Sequence, residues 1–144
     1  MILSIGEILV DMIDREGTGY VPHLGGAPFN VAVGAIRCGA KVAFAGTVGE
    51  DIWGEFVREE VSRYGVDSHI SVDPARNTTL AFVKLVEGER SFGFVRKAGA
   101  DSKLDREDIF KLLDGAILLH VGSLPLSDPE GRKVIYDAVE YARE

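Results

Sequence analysis

Residues 41–48, Lys-Val-Ala-Phe-Ala-Gly-Thr-Val, carry one charge at their start and one hydroxyl near their end. A strand apolar on both faces must be covered on both, and that is the habit of parallel strands inside α/β sheets. The residues before it supply the rest of a unit. Phe29, Val31, Ala32, Ala35, Ile36 and Cys38 repeat at helical spacing, and Gly39 follows as a left-handed cap. Small residues at Ala32, Gly34 and Ala35 let such a helix lie close on a sheet. Residues 2–5 and 8–10 give an earlier apolar run, interrupted at Gly6 and resumed up to Asp11. The expectation is one β–α–β unit of an α/β fold.

The helix of that unit opens on Gly25-Gly26-Ala27-Pro28-Phe29-Asn30. Adjacent glycines allow backbone conformations closed to other residues and let a ligand approach the main chain. Pro28 suits a first helical turn, and Asn30 places an amide there beside the unpaired N–H groups of the helix start. These residues read equally as a tight loop-to-helix junction or as a device for holding a polar ligand. Asp11 reads as an ordinary turn aspartate or as a carboxylate at the ligand-binding end of a strand.

Further along, Asp51 is placed to cap a helix carrying Ile52, Phe56, Val57, Val61 and Tyr64, which stops at Gly65. Residues 66–72 suggest an edge strand, and Tyr20-Val21 a brief returning one. Residues 78–86 and 90–97 are two β-type runs joined by Glu87-Gly88-Glu89, which predicts a hairpin apolar on both sides. Phe92, Phe94 and Arg96 fall on one face by the period of two. Such a hairpin must cover a cleft or pair with another chain. Asp105 and Asp108 open a further helix, residues 116–121 read as another buried strand, and Ser127-Asp128-Pro129-Glu130 has the Ser-x-x-Glu pattern of a capping box before a last helix.

Composition narrows the function. A net charge of −7 over 144 residues argues against nucleic acid or an anionic membrane as main partner. No apolar run approaches a membrane span, and the single cysteine, Cys38, allows no intrachain disulfide, so a cytoplasmic setting is expected. His23, His69 and His120 lack metal-ligand spacing. A dinucleotide-binding oxidoreductase is disfavoured because the Gly-x-Gly-x-x-Gly fingerprint is missing after the first strand.

Three stretches, Gly6-Glu7-Ile8-Leu9-Val10-Asp11, Gly25-Gly26-Ala27-Pro28-Phe29-Asn30-Val31-Ala32 and residues 39–51, resemble in order and spacing the first signature of the ribokinase and phosphofructokinase-B superfamily of sugar kinases. Thr79-Leu80-Ala81-Phe82-Val83 and Gly88-Glu89-Arg90-Ser91-Phe92 look most like fructokinases, with 2-keto-3-deoxygluconate kinases close behind and a ribokinase-type member as a further alternative. The resemblance covers the chain, residues 1–144, as the amino-terminal part of one sugar kinase domain. It implies a mostly parallel α/β sheet flanked by helices, with a small β-sheet lid built from residues 11–24 and 78–97. It also implies that Asp11 and Asn30 bind sugar hydroxyls, that Gly25 and Gly26 let the sugar lie on the backbone, and that Arg96 and Asp101 reach the substrate from the lid side. From the residues alone, Arg96 also reads as a solvated hairpin charge and Asp101 as an ordinary loop acid.

The family's second-half Gly-Ala-Gly-Asp motif, which carries the general base, is missing. Ala98-Gly99-Ala100-Asp101 resembles it only superficially. ATP and Mg2+ are expected to serve the complete enzyme and not to bind this chain tightly. The resemblance thus implies the sugar-binding half of a carbohydrate kinase, inactive by itself, or a non-enzymatic sugar-binding or dimerisation module. In related kinases lid sheets often pack together, so a homodimer through the lid is expected.

Overall fold

The computed structural model describes residues 1–86, 89–97 and 99–143. The expected turn residues Glu87 and Gly88, Ala98, and the terminal Glu144 lie outside the described residues. Two four-stranded sheets are present. The first is all parallel, in the order β5-β4-β1-β8, from β1 (Ile2–Ile5), β4 (Val42–Gly49), β5 (Asp67–Asp73) and β8 (Leu118–Val121). The second, in the order β3-β2-β6-β7, joins β2 (Leu9–Asp14), β3 (Tyr20–Gly25), β6 (Leu80–Val86) and β7 (Glu89–Val95). Within it, β2–β3 and β6–β7 are antiparallel hairpins, and β2 pairs with β6 in parallel.

Every residue of β4 is buried, as its composition requires. Its alternation divides the core. Val42, Phe44 and Val48 face a cluster with Phe29, Ala32 and Val33 of α1 (Ala27–Arg37) and Val57 and Val61 of α2 (Ile52–Val61). Ala43 and Ala45 face the other way, where their small side chains let α3 (Arg106–Leu113) and α4 (Pro129–Tyr141) bring in Ile109, Leu113, Ile135 and Ala138. The result is a parallel sheet with helices on both faces. Val10, Met12, Leu24 and Leu80 of the second sheet join the α1–α2 cluster, so one face of that sheet is seated on the core.

Some expectations change. The early apolar run is not one strand: β1 and β2 belong to different sheets, and Gly6 to Ile8 cross between them. Residues 66–72 do form an edge strand, as β5. The stretch 116–121 is not buried. Its strand begins at Leu118, β8 pairs with β1 alone among the described strands, and Leu118 is half exposed. The helix-start signal at 127–130 is shifted by one residue. Asp128 caps α4 by accepting from the Glu130 N–H, while the Ser127 hydroxyl donates to the Leu124 carbonyl at 2.6 Å. Asp51 caps α2 as expected, accepting from the Trp53 and Gly54 N–H groups.

Candidate functional site

Asp11 lies at the middle of β2, directly across from His23 on β3 and Ala81 on β6. Strand alternation puts Leu9, Asp11, Ile13, Val21, His23, Gly25, Ala81, Phe92 and Phe94 on one face of the second sheet, the face turned away from the core cluster. Gly25 pairs with Leu9, and a Cβ there would overlap the Asp11 carboxylate. Gly26 follows at a φ of 117°, and a Cβ there would overlap the Glu7 carbonyl, so a side chain is refused by both conformation and space. The sequence Gly25-Gly26 therefore does two jobs: it leaves Asp11 uncovered and turns the chain from β3 into α1.

The Asp11 carboxylate is half buried and makes no hydrogen bond or ion pair among the described residues. Burial pushes its carboxyl above the usual range, and the nearby charges of His23 and Arg90 draw it back only in part. Its oxygens reach solvent and can accept from water or from the hydroxyl donors of a ligand.

Arg96 and Asp101 come together, but on each other. β7 ends at Val95, so Arg96 leaves the strand and does not share a face with Phe92 and Phe94. Its Nε and Nη2 donate to Asp101 Oδ2 at 2.9 and 2.6 Å. Nη2 also donates to Ser102 Oγ and the Leu124 carbonyl, and Nη1 to Ser127 Oγ. Asp101 is fully buried, and its other oxygen accepts from the Thr79 hydroxyl. This clamp fastens the exit of the second sheet to the loop before α4. Sequence reading missed a second buried carboxylate, Glu7, at the β1–β2 crossing. Its Oε2 accepts from the Leu124 N–H at 3.3 Å, and burial raises its pKa despite that bond. Its place inside Gly6-Glu7-Ile8, an acid within an apolar run, was the available signal.

Asn30 stands apart from Asp11 in its surroundings. With Leu24, Phe29, Val33, Gly34, Arg37 and Tyr64 it lines a pocket of about 270 Å³ along α1. A larger cleft of about 690 Å³ beside β5, lined by Thr47, Asp73, Lys103, Arg106, Glu130 and Lys133 among others, contains none of the expected site residues. Among the described residues no three His, Cys, Asp or Glu side chains converge as metal ligands, and no helix is long and apolar enough to cross a membrane.

A parallel sheet covered by helices on both faces, with a second sheet seated on its core and an Asp carboxylate left open beside a Gly-Gly turn, places the chain among α/β proteins. The family model described as "pfkB family carbohydrate kinase" matches residues 1–144, and the chain belongs to that family. It is 35% identical to a probable fructokinase-3 of Arabidopsis thaliana, over 100% of this chain and 45% of the relative. The fructokinase of Xylella fastidiosa with bound ATP superposes with a TM-score of 0.87 at 34% identity, covering 99% of this chain and 45% of that one. The fructokinase of Vibrio cholerae in its fructose, ADP and calcium ion bound form gives 0.84 at 33%, covering 99% and 46%. The chain thus spans about half the length of the relatives it matches. The ribokinase-like α/β fold expected from the sequence is the fold observed.

Proposed function

We propose that this chain provides the sugar-binding half of a fructokinase-like carbohydrate kinase, which transfers the γ-phosphoryl group of ATP to a sugar hydroxyl. The observation that carries the reading is Asp11: a half-buried carboxylate with no protein partner, kept open by the missing side chain of Gly25. Asp11 accepts from a sugar hydroxyl, Gly25 and Gly26 let the ring lie on the backbone, and Asn30, in the first turn of α1, offers an amide from the other side of the Gly-Gly turn. Arg96 and Asp101 serve the same site from behind, by fixing where the second sheet leaves the core.

ATP and a divalent ion such as Mg2+ would supply the phosphoryl group and its charge neutralisation. Among the described residues no three His, Cys, Asp or Glu side chains converge on a cation, and no step through ATP or the ion is assigned to this chain. What these residues do is orient the sugar and exclude water from one side of it. The chain alone is expected to show no sugar-dependent ADP release. A cytoplasmic setting and a homodimer through the second sheet belong to the same reading. Fructose leads among substrates because the relatives named above are fructokinases.

The test is a titration with fructose, ribose and 2-keto-3-deoxygluconate followed at the backbone amides of residues 9–12 and 24–27. Millimolar saturable shifts with fructose, weakened at least fivefold by Asp11→Asn, are expected for a charged hydrogen bond on an open wall. Because Asp11 sits with a raised pKa, its affinity should fall with acid at a higher pH than an ordinary aspartate would give. Its charge costs stability above its folded pKa and none below the unfolded value, so Asp11→Asn should lose sugar without lowering the melting temperature. Saturation unaltered by Asp11→Asn would remove the basis of the reading.

A further inference from the structure

His23 is the residue directly opposite Asp11 in the β2–β3 pair, and their side chains share the face on which Gly25 leaves room. Side chains so paired have Cβ atoms about 5 Å apart, close enough for their polar tips to reach adjacent groups of one small ligand. His23 is exposed and makes no hydrogen bond or ion pair among the described residues. The face therefore carries two polar side chains, neither spent on the protein, side by side. Of the charged groups around Asp11, His23 acts on it most strongly, and Arg90 of β7 is the other. The remaining histidines differ. His69 lies between Asp67 and Asp108, and His120 meets the Ser4 hydroxyl.

We infer that His23 is a second sugar-contacting residue, and that Asp11 and His23 together hold two neighbouring hydroxyls of the substrate, a vicinal diol. This rests on reading the Asp11 face as the sugar site. A carboxylate only accepts, whereas an imidazole both donates and accepts. One hydroxyl therefore donates to Asp11. Its neighbour donates to or accepts from His23 and remains free to bond in the other sense. The pair selects for polyols with adjacent hydroxyls and gives little to a ligand with one isolated hydroxyl. Arg90, at the hairpin end of β7, lies further along the strands from this pair.

The test uses the 144-residue chain with His23→Ala, His23→Gln, Asp11→Asn and the Asp11→Asn/His23→Ala double variant, each titrated with fructose at one pH and followed at the amides of residues 9–12 and 24–27. His23→Ala should weaken binding about threefold to tenfold, the worth of one hydrogen bond, and His23→Gln should recover part of it. The double variant should lose less than the product of the single losses, because both groups hold one diol. Melting temperatures of the His23 variants should match the parent, since the side chain is exposed and unpartnered. Fructose shifts that depend on Asp11 but are unchanged by His23→Ala overturn the His23 inference and leave the sugar site standing. The absence of any saturable fructose shift in the parent chain overturns both.

Discussion

Two aspartates on this chain show how environment divides the work of one residue type. Asp51 is saturated: its carboxylate accepts from the Thr78 N–H and hydroxyl, each at 2.8 Å, and from the Trp53 and Gly54 N–H groups. Burial acts to raise its pKa, but these four donors prevail and hold it below the usual range. A depressed carboxylate contributes stability above its unfolded pKa and loses it as pH falls through the folded value. Asp51→Ala should cost about 2–3 kcal/mol in a denaturant titration at neutral pH, the loss of a cap plus an unsatisfied Thr78. That penalty should shrink in acid below the folded pKa. Asp11 is the opposite case, a carboxylate kept without partners. The sequence showed both positions, Asp51 ahead of an amphipathic run and Asp11 at the end of an apolar one. It could not show saturation, because the Thr78 partner of Asp51 is distant in sequence. It could not show that His23 stands across from Asp11 either, since that register is set by pairing between strands.

The elements were legible where period and punctuation agreed and misread where a connection was hidden. Residues 41–48 declared a buried parallel strand, and all but the exposed Lys41 became part of one that runs from Val42 to Gly49 and is buried throughout. Residues 2–11 read as one apolar run resumed after Gly6 because a crossing between two sheets needs only Gly6 to Ile8, and those residues stay apolar or buried as they cross. The stretch 116–121 has the composition of a central strand yet stands at a sheet edge, since composition does not report strand order. The same limit applied to Arg96, which period alone placed beside Phe92 and Phe94. Its real surroundings, Asp101, Ser102, Leu124 and Ser127, come from the loops. Arg96→Met leaves the buried Asp101 carboxylate with the Thr79 hydroxyl alone among its side-chain partners, and should destabilise the chain by about 3–5 kcal/mol. Adding Asp101→Asn to that variant should recover part of the loss. Equal losses for single and double variants would show that the pair is no clamp.

For the molecule as a whole, the outer face of the second sheet is the conspicuous surface. Phe92, Phe94, Ile13 and Val21 are 54%, 52%, 42% and 37% exposed and share the face of Asp11. Phe82 is not among them, because it lies on the opposite face with its ring edge-on to Tyr20 at 5.0 Å. An apolar face of this kind favours pairing with a second copy. Sedimentation at tens of micromolar should show self-association that Phe94→Glu weakens and that Phe82→Lys alters only through loss of folding. A monomeric parent would refute this. The manner in which this sheet is assembled has a further consequence. Its two hairpins are local, but the seam joining them, β2 to β6, runs in parallel between segments more than a third of the chain apart, with α1, β4, α2 and β5 between them. Long-range pairings of this kind carry a large loop-closure entropy and form slowly unless the intervening chain has already collapsed. The β1–β4–β5 layer is therefore expected to condense first and deliver β6 to β2. In pulse-labelled hydrogen exchange during refolding, amides of β4 should gain protection before those at the Val10–Ile13 and Leu80–Val83 seam. The surface proposed to meet the sugar would be the last part of the chain to acquire its shape.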